Sequence, residues 1–225
     1  MTAEKGARIV VLSAPSGGGK TTIARLLRER FPEQFGFSVS ATTRKPRTGE
    51  VDGVDYRFWK PSQFLAGINE GRFLEHAQYG GELYGTLRSD VEQILQSGRH
   101  VLLDIEVNGA AQVRKLDPNA LTIFILPSDP QVLVKRLIGR GSESRQEIER
   151  RLERAIEEIG EADLFHRWIR NDSLDDAVKA VMKASGEQHV RLVRDPNDLP
   201  WMQRYLVDLQ LQRQRLWDEL HPQKG

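Results

Sequence analysis

Arg8-Ile-Val-Val-Leu-Ser13 runs directly into Ala14-Pro-Ser-Gly-Gly-Gly-Lys20-Thr21-Thr22. The short apolar run predicts a buried strand. Three consecutive glycines after it let the backbone curl with its N–H groups pointing inward, and Thr21 to Arg30 then reads as a helix with Ile23, Leu26 and Leu27 on one face. Strand, glycine-rich loop and helix in that order form the context in which a Walker A match carries weight. The turned amides and the helix N-terminus make a site for a polyphosphate, lined by Ala14, Pro15, Ser16, Gly17, Gly18, Gly19, Lys20, Thr21 and Thr22. Lys20 is expected to reach the outer phosphates and the Thr21 hydroxyl to help hold Mg²⁺. Ala14 stands where the strict pattern has its first glycine, an exchange that costs little if the position needs no positive φ. The bland alternative is a glycine-rich turn with a surface lysine. The ordered coincidence of strand, glycines, lysine, hydroxyl and helix favours nucleoside triphosphate binding.

Length and composition narrow the rest. The 225 residues suit one domain with insertions, or a core plus a small appendage. A net charge of +1 argues against a general nucleic-acid binder, so affinity for phosphate has to come from local clusters. The chain has no cysteine, which excludes disulfides and thiolate metal ligands. Its five histidines, His76, His100, His166, His189 and His221, show no metal-ligand spacing. The first eight residues carry no apolar run of the signal-peptide kind, and no stretch approaches the ~20 apolar residues of a membrane span. A cytoplasmic protein without membrane contact is expected.

Between Gly36 and Tyr84 the pattern changes. Phe37-Ser-Val-Ser40 alternates like a strand, Thr42 to Asp55 is polar and turn-rich, and Tyr56-Arg-Phe58 alternates again. Pro61-Ser62 opens a short helix ending near Gly71. Arg72 to Tyr84 reads as further strand broken by a Gly80-Gly81 turn. Ser89-Asp-Val-Glu92 has the form of a capping box opening a helix that stops at Gly98. Two apolar strands follow, His100–Ile105 and Leu121–Leu126, separated by a helix from about Asn108 to Leu116. Asp129-Pro130 starts another helix, an N-cap followed by proline at the first helical position. Apolar strands alternating with helices predict an α/β fold, a parallel sheet flanked by helices on both faces. Gly139 to Gly160 is a charged segment in which Glu147–Arg151 and Arg154–Glu158 would pair at i,i+4 on a solvated helix. Arg167–Asp172 reads as a last short strand, with helix from Leu174 to about Leu192. Asp195–Pro200 reads as a linker. The tail from Trp201 to Leu220 carries a helical apolar stripe at 202, 205, 206, 209, 216 and 220, broken by Arg213, and is expected to pack on its own chain or on a second copy.

The insertion decides among the chemistries a P-loop permits. Arg44 and Arg47 flank Pro46, with Tyr56 downstream, and forked guanidinium groups beside a phenol suit a phosphate dianion. Phe37-Ser-Val-Ser…Thr-Thr-Arg-Lys-Pro-Arg…Gly-Glu…Gly…Asp-Tyr56, then Phe73-Leu-Glu75, Leu83-Tyr84-Gly85-Thr86 and Leu103-Asp104-Ile105, resemble guanylate kinase in order and spacing over about residues 8 to 190. The resemblance implies a kinase domain over 1–195 with its core at about 6–35, 88–138 and 164–195. It further implies a small, mainly β GMP-binding insertion at 36–87 and a helical lid at 139–163, which leaves 196–225 as a C-terminal helical extension. Arg44, Arg47, Tyr56 and Tyr84 would hold the GMP phosphate, and Ser40, Glu75 and Thr86 would read guanine. Asp104 would help organise Mg²⁺, and Glu106 would lie near the nucleoside. Arg140 and Arg151 match lid arginines that close on the transferring phosphates, and Asn171 matches a segment near adenine. ATP is the expected donor, GMP and also dGMP the acceptors, and the chain is expected to be a monomer or homodimer. Two rival readings are a non-catalytic module using the GMP pocket for a phosphorylated peptide, and a P-loop kinase for another small phosphorylated metabolite.

Overall fold

The computed structural model describes residues 6–139, 145–193 and 195–220. Five strands form a parallel sheet: β1 (Ile9–Ser13), β2 (Phe35–Phe37), β7 (His100–Asp104), β8 (Leu121–Leu126) and β9 (Arg167–Arg170), in the order β2-β7-β1-β8-β9. β1 lies at the centre, with Leu12 opposite Asp104 on one side and Ile123 on the other. Every residue of β1 and β8 is buried, as expected where both faces of a parallel sheet are covered. On one face, Val10, Leu12, Leu102 and Ile123 pack against α1 (Lys20–Arg30) and α7 (Leu174–Ser185). On the other, Val11, Leu103 and Phe124 pack against α3 (Arg88–Gln96), α4 (Val107–Leu116), α5 (Pro130–Ile138) and α6 (Arg145–Gly160).

The insertion is a second sheet of four strands, β4 (Arg57–Phe58), β3 (Ala41–Thr42), β6 (Glu82–Leu87) and β5 (Phe73–Tyr79), in that spatial order. Gly80 and Gly81 both have positive φ, as a tight two-residue hairpin turn between β5 and β6 requires. The helix α2 (Pro61–Asn69) closes a small core of its own, in which Phe64 stacks on Phe73 with ring centroids 4.4 Å apart.

Several boundaries differ from expectation, each for a physical reason. The strand read at Phe37–Ser40 is Phe35–Phe37 instead, paired with β7 in the main sheet, where fully buried Phe35 anchors it. The Ser89 capping box does not form. Helix α3 already begins at Arg88, with Leu87 in the cap position and no side-chain cap, and the Ser89 hydroxyl turns to Asp90. Asp129 does cap α5, accepting from the Gln131 N–H at 2.8 Å. Helix α7 stops at Ser185, not Leu192, and the presumed linker is shorter because α8 (Asp198–Leu220) starts inside it. The N-terminal half of the stripe on α8 is covered within the chain: Met202, Tyr205 and Leu209 are buried in the same core as α5 and α6, and Arg213 reaches Glu153 at 2.8 Å. Among the described residues no helix is long and apolar enough to cross a membrane.

Candidate active site

The glycine-rich loop lies between β1 and α1 beside the C-terminal ends of β7 and β8. Gly17 and Gly19 have φ of +80° and +92°, the left-handed region that an L side chain avoids. No described non-glycine residue has a positive φ, so Ala14 fits its position without backbone strain. A Cβ on Gly18 would come within 2.7 Å of the Ala14 Cβ, so Gly18 is fixed by space and not by φ. Asn171, at the end of β9 and 1% exposed, donates its side-chain amide to the Gly18 carbonyl. That amide shapes the loop from beneath. The neighbouring Asp172 accepts from the Ser128 backbone N–H at 2.8 Å and from its hydroxyl.

Lys20 opens α1 with its ammonium 2.5 Å from Glu106 and 3.6 Å from Asp104. Burial by itself would lower its pKa, but these two carboxylates outweigh burial and hold it above the ordinary lysine value. Asp104 ends β7 next to β1, so sheet register alone brings a carboxylate to the loop. Thr21, the next residue of α1, is exposed. Glu158 of α6 accepts from the Ser16 N–H at 3.3 Å, and Arg151 donates to the Ser16 hydroxyl at 3.0 Å. Burial and then the nearby Glu106 push the Glu158 carboxyl well above the usual carboxylate range. The charged helix therefore turns one face onto the phosphate-binding loop. Arg140, assigned to the same lid, lies outside the described residues.

A second cluster belongs to the insertion. Arg44 forms a two-pronged pair with Glu50, at 2.8 and 2.9 Å, and its guanidinium lies 5.3 Å from the Tyr56 ring centroid. Tyr56 meets Tyr84 edge-on at 6.0 Å. Burial, and next the negative charge of Asp104, raise the Tyr56 phenol above its ordinary pKa, so this cluster lies within electrostatic reach of the loop. Arg47 is exposed and joins through its backbone N–H, which donates to Glu50 at 2.7 Å. Ser40 is half-buried, and its carbonyl accepts from the Arg57 N–H at 2.9 Å.

Glu75 and Thr86 form the floor of the insertion. The β5–β6 ladder slips one residue between Phe73 and Glu75, a bulge that sets Glu75 opposite Thr86. The Thr86 hydroxyl donates to Glu75 Oε1 at 2.6 Å, both residues being buried. A hydroxyl has one proton, so the Thr86 oxygen is left as an acceptor toward a ligand. The other Glu75 oxygen lies against α4, where a Cβ on Gly109 would approach it to 2.6 Å. Burial lifts the Glu75 carboxyl to about 6, against the lowering effect of Thr86. Four contributors escaped sequence reading: Glu50, Gly109, Glu158 and the bulge. Glu50 is visible only as one letter of a motif, Gly109 and Glu158 depend on contacts with distant segments, and the bulge is a register slip inside one hairpin.

Comparison with known proteins agrees with this geometry. The guanylate kinase family model matches residues 6–187. The chain belongs to the guanylate kinase family. A curated guanylate kinase of Synechocystis sp. is 46% identical over 187 residues, covering 83% of this chain and 97% of the relative. One from Chlorobium luteolum is 48% identical over 182 residues, covering 80% and 92%. The crystal structure of guanylate kinase from Anaplasma phagocytophilum superposes with a TM-score of 0.66 at 27% identity, covering 88% of this chain and 94% of that one. A guanylate kinase is an ATP:GMP phosphotransferase, so the nucleoside triphosphate expected at the loop is ATP and the acceptor is GMP. The family match ends at residue 187, and α8 lies beyond it.

Proposed function

We propose that the chain divides the guanylate kinase reaction, ATP + GMP ⇌ ADP + GDP, among three parts. The loop at 14–22 binds the ATP phosphates, the insertion at about 36–87 binds GMP, and the charged segment at 139–163 is the lid. The observation that carries this reading is the buried Glu75–Thr86 pair at 2.6 Å. Its remaining lone pairs are acceptors, and guanine presents N–H donors on its Watson–Crick edge. Adenine would set its N1 lone pair against the same carboxylate. A buried polar site left unpaired in that way discriminates strongly.

Arg44, Arg47, Tyr56 and Tyr84 hold the GMP phosphate, and Arg44 exchanges Glu50 for it. The acceptor oxygen needs no general base, because a phosphate monoester's second pKa is about 6 and the nucleophile is already largely ionised at neutral pH. What remains is to hold two polyanions in line and to neutralise their charge. Lys20 leaves Glu106 for the outer ATP phosphates, Arg151 turns from Ser16 to the transferring group, and Arg140 joins it. Glu106 then faces the nucleoside side of the cleft. Asn171 serves the donor site by fixing the loop. Thr21 and Asp104 offer one hydroxyl and one carboxylate beside the loop, hard oxygen donors that fit an Mg²⁺ ion carried mainly by phosphates and water. That ion would supply counter-charge on the transferring phosphates. Among the described residues no all-protein metal cluster competes with this arrangement.

Acceptance of dGMP is part of the same proposal, because the assigned residues address base and phosphate. So is a monomeric state, supported by the burial of Met202, Tyr205 and Leu209 of α8 within one chain, and so is cytoplasmic residence. The test is a coupled assay of ADP release with GMP, dGMP, AMP or no acceptor. Release that depends on GMP and dGMP supports the proposal, and equal release with AMP or without acceptor refutes it.

A further inference from the structure

Residues 151, 154 and 158 are spaced i, i+3, i+7 and share one face of α6. Arg151 and Glu158 both grip Ser16 of the phosphate-binding loop, at 3.0 and 3.3 Å. Arg154, between them, goes elsewhere. Its guanidinium lies 4.4 Å from the ring centroid of Tyr79, the last residue of β5. Tyr79 meets Tyr84 edge-on at 6.3 Å, and Tyr84 meets Tyr56 at 6.0 Å. One helix face therefore holds the ATP-side loop by two side chains and the GMP-side sheet by one. Both Arg154 and Tyr79 are half-buried, a setting in which a guanidinium over a ring face is attractive and geometrically selective.

We propose that Arg154 and Tyr79 form a latch that fastens the insertion to the lid helix, which makes Arg154 a positioning residue for phosphoryl transfer. It acts through Tyr79 and the aromatic row behind it, setting the distance between the acceptor phosphate and the loop, without itself touching substrate. Geometry is where such a contact matters, because a misplacement of about 1 Å between reacting groups costs rate steeply. The latch depends on the assignment of the insertion to GMP and of the loop to ATP made above.

The test uses the full-length chain and single-turnover transfer from ATP to GMP, which isolates chemistry from product release. Arg154→Met and Tyr79→Leu are each expected to slow transfer about two- to fivefold, the worth of one partly exposed cation–π contact. The double variant should be no slower than either single one, because both remove the same contact. Tyr79→Phe keeps the ring but loses the hydroxyl that the guanidinium also engages, so it and Arg154→Lys should each keep part of the rate. The Kd for ATP alone should not change in any of them, and the melting temperature should fall by no more than the few degrees that one such contact is worth, whereas a merely structural role would leave the transfer rate of the folded chain unmoved. A double variant as slow as the product of the two single effects overturns the latch. So does a loss with Arg154→Met that Tyr79→Leu does not share, since Arg154 would then be acting on substrate directly. Failure of the underlying assignment reads out separately, as an Arg44→Lys chain whose GMP affinity equals that of the unaltered one.

Discussion

Replacing Glu75 with glutamine should move stability and guanine recognition in opposite directions. Burial raises the carboxyl from 4.5 to about 6 in the folded chain. The folded state therefore favours the neutral form, and this contribution to stability is fully present below pH 4.5 and lost as pH rises through about 6. At 1.36 kcal/mol per pKa unit, keeping the group charged at pH 7.5 costs the fold about 2 kcal/mol. Glutamine removes the charge, keeps the shape and can still accept from the Thr86 hydroxyl. Without nucleotide, Glu75→Gln should raise the melting temperature by roughly 4–8 °C at pH 7.5, at about 2–4 °C per kcal/mol for a domain of this size, and by far less at pH 4.5. Toward GMP the same change removes one charged acceptor, about 1.5–3 kcal/mol, or roughly 10- to 150-fold in affinity. Calorimetric titration with GMP and AMP, paired with thermal unfolding across pH 4.5–8, measures both. The affinity ratio of native to variant should shrink below about pH 6 as the native carboxylate takes up its proton. A variant with unchanged GMP affinity and unchanged preference over AMP would refute the guanine-reading role. A lower melting temperature at pH 7.5 would refute the electrostatic argument.

Lys20→Ala should cut turnover by at least about 100-fold while leaving the GMP Kd measured without ATP unchanged; an equal loss of GMP affinity would show that the two sites are not separate. Gly109→Ala would bring a methyl group within 2.6 Å of the Glu75 carboxylate, so GMP should bind more weakly with no change in ATP affinity, checked by titrating each nucleotide alone. The Tyr205 hydroxyl is buried with no hydrogen-bond partner among the described residues. Tyr205→Phe should thus stabilise the chain by about 1–2 kcal/mol at unchanged turnover, and a fall in melting temperature would mean that the hydroxyl is satisfied.

What the sequence reveals, and what it hides, follows the range of the forces involved. The strands at 9–13, 100–104 and 121–126 are legible because burial on both faces leaves a nearly continuous apolar run. The Asp129-Pro130 start is legible because a cap is local chemistry. By contrast, Phe37-Ser-Val-Ser40 alternates convincingly, yet the strand sits two residues earlier, where Phe35 finds a pocket beneath the sheet. The Ser89 box fails although its letters are right, because β6 feeds directly into α3 at Arg88. In the site, the loop can be read from its own residues, and Arg44, Glu75 and Thr86 from their resemblance to a family. The bulge that aligns Glu75 with Thr86 is a register slip inside a hairpin that its letters do not signal, and the space left by Gly109 and the face that α6 turns toward Ser16 and Tyr79 are long-range facts with no local signature. Asn171 illustrates both sides. Resemblance offers it as part of a segment near adenine, while its amide bond to the Gly18 carbonyl has no local signature.

The central position of β1 also sets a timetable for synthesis. Ile9 pairs with Val101 and Val10 with Leu121, partners that lie about 90 and 110 residues downstream. At ~5–20 residues per second, β1, apolar but for its last residue, leaves the ribosome about 5–20 s before its first neighbour exists. The loop attached to it has no defined shape during that interval, since both flanking strands are needed to hold it. ATP can therefore do nothing to stabilise the early nascent chain, and protection of β1 falls to the helix that follows it, or to whatever chaperone covers an exposed apolar segment.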